Sequence, residues 1–208
     1  MDARKRIALY GGTFDPIHLG HLEIARKVLE LFEIEKVLFI PAQAPPHKVG
    51  RPVTEPIHRY AMLALATQND PRLSISTFEL DAPNRRYTVD TVEHFQTALG
   101  QSTELFFIMG ADSWSEIKTW REWERLLSTI NHIVVTRPGY EVAEAPPEVK
   151  HRITFTDAVM KDVSATTIRR LASEGRMEEL AKLVPVPVAE YIKKYQIYRD
   201  TNERKLNS

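Results

Sequence analysis

The fold of this chain is decided by the stretch Ile7-Ala8-Leu9-Tyr10-Gly11-Gly12-Thr13-Phe14-Asp15-Pro16-Ile17-His18-Leu19-Gly20-His21. Its apolar start predicts a buried strand. After His21, apolar side chains recur at helical spacing, at Leu22, Ala25, Val28 and Leu29. In an open α/β sheet, such a strand-to-helix turn lies at the carboxyl end of the strand, where ligands bind. We therefore predict a phosphate-binding site at this turn.

Outward from this stretch, apolar runs alternate with helical patterns. We predict strands over residues 6–10, 36–40, 73–76, 104–109, 132–136 and 152–156. We predict helices over 19–32, 57–68, 87–99 and the later part of 116–128. Three more helices are predicted at the end of the chain: the first begins at Ser164 and stops at Gly175, and the other two cover 177–183 and 187–195. The alternation predicts a Rossmann-like, doubly wound parallel sheet with a small C-terminal helical subdomain. We expect an α/β core over 1–160, a helical part over 161–199 and a frayed tail over 200–208.

Local patterns also predict helix ends and buried faces. We expect Thr88 and Ser164 to be the N-caps of their helices, because short hydroxyl side chains accept hydrogen bonds from free backbone N–H groups. In the helix over 57–68, we expect Ala61, Met62 and Leu65 to face inward.

The composition limits the classes of function. The 208 residues include 28 Lys plus Arg and 28 Asp plus Glu, so the formal net charge is zero. This balance gives no support to a broad nucleic-acid or membrane-binding surface. The absence of cysteine excludes disulfides, thiolate metal sites and cysteine nucleophiles. No apolar run reaches the roughly 18 residues that span a bilayer, so we expect a soluble, cytoplasmic protein.

The glycine-rich turn has the chemistry of a polyphosphate site. Gly11 and Gly12 allow backbone amides to approach a ligand closely, and the following helix presents its free N–H groups to an anion. His18 and His21 share a helix face and are predicted to donate hydrogen bonds to phosphoryl oxygens as charge builds there. Gly20 between them is expected to leave room for a bulky ligand, and the Thr13 hydroxyl is a further donor.

Other interpretations of this turn stay open at this point. The two histidines could be a metal pair or ordinary cap residues, and Asp15 could be a plain turn residue ahead of Pro16. Known nucleotide motifs are less compatible with the sequence. The first strand is not followed by Gly-x-Gly-x-x-Gly, which disfavours a dinucleotide site, and the absence of Gly-x-x-x-x-Gly-Lys-Ser/Thr excludes a P-loop.

A second candidate anion site is Ser164-Ala165-Thr166-Thr167-Ile168-Arg169. It places hydroxyl groups and backbone amides at a helix N-terminus, with an arginine one turn later. Taken alone, the segment could equally be a capped helix with a surface arginine. Two such sites on one sheet suggest a clamp that holds a triphosphate from both ends.

These two motifs carry a family resemblance. The stretch from Gly11 to His21 resembles the His-x-Gly-His signature of the nucleotidylyltransferase superfamily, and Ser164 to Arg169 resembles its Ile-Ser-x-Thr-x-x-Arg signature, with Val163 at the usual Ile position. Further segments resemble bacterial nicotinate-nucleotide adenylyltransferases: 45–48, 87–91, 110–113, 119–120, 137–140, 183–185 and 188–192. The resemblance covers nearly the whole chain.

The resemblance implies adenylyl transfer from ATP to nicotinate mononucleotide, which gives deamido-NAD and pyrophosphate in NAD biosynthesis. The mononucleotide phosphate would attack the α-phosphorus of ATP in line, so catalysis would consist of positioning and charge stabilisation. It also implies Mg²⁺, bound mainly through ATP phosphates and water rather than by protein side chains. The implied partners are these two nucleotides, without nucleic acid or membrane, and a homo-oligomer is possible.

The resemblance assigns roles to individual positions. His18 and His21 would be catalytic, with His21 nearest the α-phosphate. The helical part over 161–199 would complete the ATP site. ATP would bind at Gly11, Gly12, Thr13, Phe14, His18, His21, Gly110, Asp112, Ser164, Thr166, Thr167 and Arg169. The acceptor would bind at Lys48, Tyr87, Thr88, Trp120 and Arg137.

Several alternatives accompany these roles. Trp120 could be a core aromatic, and of Trp114, Trp120 and Trp123 at least one is expected only to pack. Arg121 could favour the nicotinate carboxylate or point to solvent. The acceptor could instead be nicotinamide mononucleotide or phosphopantetheine. A class I aminoacyl-tRNA synthetase is disfavoured by the length and neutral charge of the chain. A non-catalytic nucleotide-binding regulator is disfavoured by the intact motifs.

Overall fold

A parallel six-stranded sheet forms the centre of the molecule. The computed structural model describes residues 4–43, 53–82, 87–136, 143–157 and 163–199. The strands are β1 (Lys5–Gly12), β2 (Lys36–Pro41), β3 (Leu73–Ile75), β4 (Thr103–Gly110), β5 (Asn131–Val135) and β6 (Ile153–Thr156). Their order is β3-β2-β1-β4-β5-β6, and every neighbouring pair is parallel. The predicted α/β fold class is confirmed.

Eight α-helices accompany the sheet in the described part of the chain. They are α1 (Leu19–Leu31), α2 (Pro56–Thr67), α3 (Thr88–Leu99), α4 (Ala111–Ser115), α5 (Trp123–Thr129), α6 (Ala165–Ser173), α7 (Met177–Leu180) and α8 (Val186–Lys194). Two single turns of 3₁₀ helix lie at Ile117–Thr119 and Lys150–Arg152. Among the described helices, none combines the length and the apolar character that crossing a membrane requires.

Each face of the sheet has its own hydrophobic core. On one face, side chains of α1, α2, α6, α7 and α8 pack with strand residues such as Ala8 and Ile108. On the other face, α3, α4 and α5 pack with Leu9, Phe107 and Val134. Successive strand residues point to opposite faces, which explains why Ala8 and Leu9 belong to different cores. Both faces of the central strands are buried, as the continuous apolar runs predicted. The C-terminal helices share the core of α1 and α2; the domain boundary near 160 stays a prediction.

Local geometry corrects two helix predictions. The N-cap of α3 is Tyr87 and not Thr88, which is the first residue of the helix. The Asp90 carboxylate accepts a hydrogen bond from the Tyr87 N–H at 3.2 Å, so the acid three residues after the cap satisfies that donor. In α2, Met62 is buried and the half-buried Leu65 packs against the same core, as predicted, whereas Ala61 is half-buried and is not part of that core. The other buried positions of that helix are Arg59, Leu63 and Thr67.

The ends of α6 follow the sequence prediction. The Ser164 hydroxyl accepts a hydrogen bond from the Thr167 N–H at 3.2 Å, so Ser164 is the N-cap. At the other end Gly175 has φ +72°, a left-handed conformation that glycine adopts without strain. The Gly175 N–H donates to the Ala172 carbonyl and the Arg176 N–H to the Leu171 carbonyl, which closes the helix with a Schellman motif.

Candidate active site

The predicted ATP motif lies at the topological switch point of the sheet. The strand order reverses between β1 and β4, which are neighbours. Gly11 and Gly12 are the last residues of β1 and lead into the turn up to His21, and Gly110 is the last residue of β4 and leads into Asp112. In doubly wound sheets, ligands bind in the crevice outside the strand ends at such a point. Two of the predicted ATP segments therefore lie next to each other at this switch point.

The two histidines of the motif form a stacked pair. Their ring centroids are 3.6 Å apart, with an interplanar angle of 23°. The His18 N–H donates a hydrogen bond to Nδ1 of His21 at 3.3 Å. Because Nδ1 accepts this bond, neutral His21 carries its proton on Nε2. The backbone at the start of α1 thus selects the tautomer in which Nε2 is the donor.

His18 is held in a neutral form by its surroundings. The residue is only 7% exposed, and burial lowers the pKa of its imidazole to about 4. A Cβ atom at Gly20 would lie 3.2 Å from Nδ1 of His18. The absence of a side chain at Gly20 therefore makes room for the His18 ring. The sequence analysis predicted instead that Gly20 leaves room for a ligand. Nδ1 of His18 is buried and has no hydrogen-bond partner among the described residues.

Phe14 packs against His21 of the histidine pair. Its ring is buried and lies edge-on to the His21 ring, with centroids 5.1 Å apart. It also contacts Tyr10 and Phe39. Phe14 adopts φ +49°, an unusual left-handed conformation for a residue with a side chain, and a Cβ at Gly12 would lie 2.9 Å from its ring. Gly12 is therefore required for this packing, and the Phe14 ring faces the core rather than the crevice.

The second predicted anion motif contacts the first directly. Arg169 of α6 donates from Nη1 to the Asp15 carbonyl at 2.8 Å and from Nη2 to the Thr166 hydroxyl at 3.3 Å. The hydroxyl oxygens of Ser164 and Thr167 are 2.9 Å apart at the N-terminus of α6. Two motifs separated by 154 residues thus meet at one place. Free N–H groups, hydroxyls and a guanidinium at a helix N-terminus are suited to phosphate oxygens.

Segments predicted to hold the acceptor meet on the opposite face of the sheet. The Arg121 guanidinium lies over the Tyr87 ring, 4.6 Å from its centroid, and is 3.4 Å from the Glu122 carboxylate. The Trp120 ring packs edge-on against Phe107, with centroids 6.4 Å apart. A Cβ at Gly11 would lie 3.1 Å from the Phe107 ring, so Phe107 connects Trp120 to the end of β1. Thr88, next to Tyr87, is half-buried.

The three tryptophans differ in their surroundings. Trp114 is 3% exposed, and its indole N–H donates to the Ala143 carbonyl at 2.8 Å, so it packs in the core. Trp120 and Trp123 are half-buried at the edge of the same core. Nε1 of Trp120 is buried and has no hydrogen-bond partner in the described parts of the chain. The expectation that at least one of the three only packs is thus met by Trp114.

The remaining predicted site residues fall into two groups. Gly110 is the N-cap of α4 and has open space where a Cβ would stand, and Asp112 is exposed in the first turn of that helix. Lys48 and Arg137 lie outside the described residues. Within the described ranges, no group of three or more His, Asp or Glu side chains could hold a metal ion.

Two polar residues beside the motif were missed from the sequence. Arg59 of α2 is fully buried and donates a hydrogen bond to the Thr13 carbonyl at 2.9 Å. The Tyr198 hydroxyl donates to the Asp15 carboxylate at 2.7 Å. The sequence holds one signal for Arg59, because it interrupts the buried stripe formed with Met62 and Leu63 at helical spacing. Tyr198 carries no comparable signal.

The buried histidines make stability depend on pH. His132 resembles His18 in that burial lowers its pKa to about 4, while the unfolded chain titrates near 6.5. The unfolded state therefore binds more protons between these values, and stability is lost as the pH falls from 6.5 towards 4. We expect each histidine to lower the free energy of unfolding by about 2 kcal/mol at pH 5 relative to pH 7. Urea unfolding of wild type and His132→Gln at both pH values checks this.

The pH dependence of the variant gives a clear outcome. The glutamine does not titrate, so His132→Gln is expected to lose about half of the difference between pH 7 and pH 5. An unchanged difference in the variant contradicts the assignment, because the proton uptake would then belong to other groups.

Comparison with known proteins places the chain in a family. A family model described as cytidylyltransferase-like matches residues 9–171. The chain therefore belongs to the cytidylyltransferase-like family of nucleotidyltransferases. A probable nicotinate-nucleotide adenylyltransferase of Thermoanaerobacter sp. (strain X514) is 40% identical over 98% of this chain and 99% of its own length. A probable nicotinate-nucleotide adenylyltransferase of Thermus thermophilus is 45% identical over 93% of this chain and 100% of its own length. Within the family, the chain belongs to the nicotinate-nucleotide adenylyltransferases.

Solved structures share the fold. The nicotinic acid mononucleotide adenylyltransferase of Plasmodium falciparum complexed with NaAD superposes with a TM-score of 0.78 at 21% identity, and covers 93% of this chain and 97% of its own. The same protein complexed with APC gives a TM-score of 0.76 at 22% identity with the same coverage. These similarities support the observed architecture.

Proposed function

We propose that this chain transfers the adenylyl group of ATP to nicotinate mononucleotide, giving deamido-NAD and pyrophosphate. Its family membership defines a nucleotidyltransferase. The observation that carries the proposal is the hydrogen bond from Arg169 to the Asp15 carbonyl, which joins the two phosphate motifs at the switch point. A triphosphate in the crevice would lie between the N-terminus of α1 and the N-terminus of α6.

The proposed chemistry is one in-line displacement. A phosphate oxygen of the mononucleotide forms a bond to the α-phosphorus of ATP, and the bond from that phosphorus to the bridging oxygen of pyrophosphate breaks. Negative charge develops on the oxygens of the α-phosphate and on the leaving group. Positioned donors stabilise such charge without a covalent enzyme intermediate.

In the proposed complex, the described residues would supply donors for each part of the triphosphate. We assign the α-phosphate to Nε2–H of His21, because the bond from the His18 backbone leaves that nitrogen protonated. His18 stacks on His21 and would act as a neutral imidazole rather than as a cation. We assign the β- and γ-phosphates to Ser164, Thr166, Thr167 and Arg169 at the start of α6. Gly11, Gly12, Thr13, Gly110 and Asp112 would border the nucleotide at the ends of β1 and β4.

A divalent cation would enter as part of the substrate. We propose Mg²⁺ bound to the ATP phosphates and water, since hard oxygen ligands at octahedral geometry suit this ion. In this arrangement the cation would neutralise phosphate charge, and the protein would contribute hydrogen bonds to the phosphates.

The acceptor would bind on the side of Trp120. We propose that the pyridine ring stacks on Trp120 and contacts Tyr87 and Thr88, with Lys48 and Arg137 as further candidates. The position of Arg121 over Tyr87 brings a cation to this group of residues. A cation there is compatible with the nicotinate carboxylate and gives no advantage to the neutral amide of nicotinamide. A cytoplasmic location and a homo-oligomeric state stay predictions.

An acceptor comparison tests the proposed function. We expect pyrophosphate release with ATP and nicotinate mononucleotide to have the highest kcat/KM, ahead of nicotinamide mononucleotide and phosphopantetheine. Trp120→Ala is expected to raise KM for the mononucleotide by about 10-fold through lost stacking, with KM for ATP unchanged. Trp123→Ala is the matched control and is expected to leave both KM values near wild type. A preference for another acceptor overturns the proposed substrate, and ATP binding without turnover favours a regulator.

A further inference from the structure

The buried guanidinium of Arg59 binds three separate segments of backbone. The residue has no exposed surface. Nη1 donates to the Thr13 carbonyl at 2.9 Å, Nε to the Thr54 carbonyl at 2.9 Å and Nη2 to the Gln43 carbonyl at 3.2 Å. Thr13 belongs to the motif turn, Gln43 follows β2, and Thr54 precedes α2. The planar guanidinium presents its donors in a fixed fork, so the three carbonyls are held at defined positions relative to one another.

The carboxylate of Asp15 forms the other half of this cluster. Asp15 is 4% exposed. Its Oδ1 accepts from the Tyr198 hydroxyl at 2.7 Å and its Oδ2 from the Thr54 N–H at 3.3 Å. The Asp15 carbonyl accepts from Arg169 at 2.8 Å. Thus Thr13 and Asp15 lie on either side of Phe14, and each is fixed from outside the motif, Thr13 by the buried guanidinium of Arg59 and Asp15 by the hydroxyl of the half-buried Tyr198.

Burial of these groups has an energetic cost that the cluster offsets. Desolvation lowers the pKa of Arg59, and the negative charge of Asp15 opposes that change. Burial and the same carboxylate raise the pKa of Tyr198, so its hydroxyl keeps the proton that it donates. Tyr198 also adopts φ +71°, which is unfavourable for a residue with a side chain. An apolar side chain would fill the space of Arg59 without desolvating a cation, but it would leave three carbonyls without this donor.

We propose that Arg59 and Tyr198 are positioning residues for the reaction, which hold the turn of Thr13 to Asp15 without touching a substrate. This inference rests on the proposed function of the same site. The turn leads directly into the His18–His21 pair, and Asp15 receives the hydrogen bond of Arg169. A shift of this turn therefore moves the donors proposed for the α-phosphate relative to those of α6. Misplacement of catalytic groups by about 1 Å can reduce a rate about 100-fold.

The first test compares Arg59→Lys with a stability control. Lysine keeps the charge but cannot reproduce the planar fork, so we expect kcat/KM for ATP to fall about 10-fold or more. Leu63→Ala is the control, because Leu63 is equally buried and lies one turn further along α2. This variant is expected to lower Tm and to keep kcat/KM within about twofold of wild type at a temperature where both variants are folded.

The second test removes the single hydroxyl of Tyr198. In Tyr198→Phe the ring still packs, but Asp15 loses one donor, and we expect a fall in kcat/KM of about threefold to 10-fold. If Arg59→Lys does not fold, this variant decides the question. Circular dichroism and the ATP dissociation constant, measured by calorimetry without acceptor, accompany each assay. The calorimetric readout does not depend on the acceptor, so an error in the proposed acceptor is distinguishable from an error in the positioning role.

The outcomes separate positioning from simple stabilisation. A loss of kcat/KM in folded Arg59→Lys or Tyr198→Phe, with Leu63→Ala near wild type, supports the proposal. If the folded variants keep kcat/KM and ATP affinity within twofold of wild type, the proposal is overturned. It is also overturned if Leu63→Ala loses as much activity as they do, because the effect then follows stability and not the position of the turn.

Discussion

Replacement of His21 with alanine is expected to lower kcat by about 100-fold or more while the protein stays folded. The imidazole is half-buried at the start of α1, and its Nε2–H is the donor that the His18 backbone bond selects. In the proposed reaction, charge on the α-phosphate oxygens grows towards the transition state. A donor that acts there contributes to kcat more than to the binding of ATP, so KM for ATP is expected to change less than kcat.

A histidine outside the crevice provides the matched control. His151 is exposed in the 3₁₀ turn of Lys150–Arg152, and His151→Ala is expected to keep wild-type kcat. Steady-state pyrophosphate release, with thermal unfolding of each variant, makes the comparison. His18→Ala is expected to show a loss of similar size, and because the rings stack, the double variant is expected to lose less than the product of the single losses. Near-wild-type kcat in both single variants contradicts the roles of this pair.

The strands of the parallel sheet could be predicted from sequence because their signals are local. Continuous apolar runs such as Phe106 to Met109 indicate strands buried on both faces, and all six predicted strands are present. The N-cap Ser164 and the stop at Gly175 were also correct, since both depend on residues within one helical turn. Tyr87 was missed as a cap because Thr88 has the more typical side chain for that role.

Contacts within the candidate site were harder to predict because they join distant segments. The sequence indicated two phosphate motifs, but the hydrogen bond between Arg169 and Asp15 spans 154 residues and depends on how α6 packs. Gly20 was assigned to ligand space, although its neighbour in the structure is the His18 ring. The role of Arg59 was not predicted because its partners are backbone carbonyls. Every residue has a backbone carbonyl, so no sequence pattern indicates which carbonyls a buried arginine will bind.

The structure also changes the interpretation of Asp15. From the sequence, Asp15 could be a plain turn residue or part of the phosphate site. Its carboxylate is now seen to accept from Tyr198 and Thr54, while its carbonyl accepts from Arg169. Asp15 thus connects Arg169 of α6, Tyr198 and Thr54 to the turn that precedes the histidine pair. In the proposed reaction, Asp15 would act by fixing the position of this turn rather than by direct contact with phosphate.

Replacement of Arg169 with alanine is expected to lower kcat/KM for ATP by about 100-fold. Two effects combine in this variant. The proposed charge-assisted bonds to the β- and γ-phosphates are lost, and such bonds are about twice as strong as neutral ones. The hydrogen bond to the Asp15 carbonyl is lost as well, so α6 loses this polar contact with the motif turn. Arg169→Lys keeps the charge but not the fork, and is expected to recover only part of the activity.

The next residue of the same helix separates these effects from a general loss of charge. Arg170 is exposed and paired with Glu174 across one turn, at 2.8 Å. Because exposed pairs contribute only about 0.5 kcal/mol, Arg170→Ala is expected to keep kcat/KM within about threefold of wild type. Both variants lose one positive charge from α6, so a difference between them measures the position of the guanidinium. Equal losses in Arg169→Ala and Arg170→Ala would instead attribute the effect to the charge of the helix, and the proposed clamp between the two motifs would be wrong.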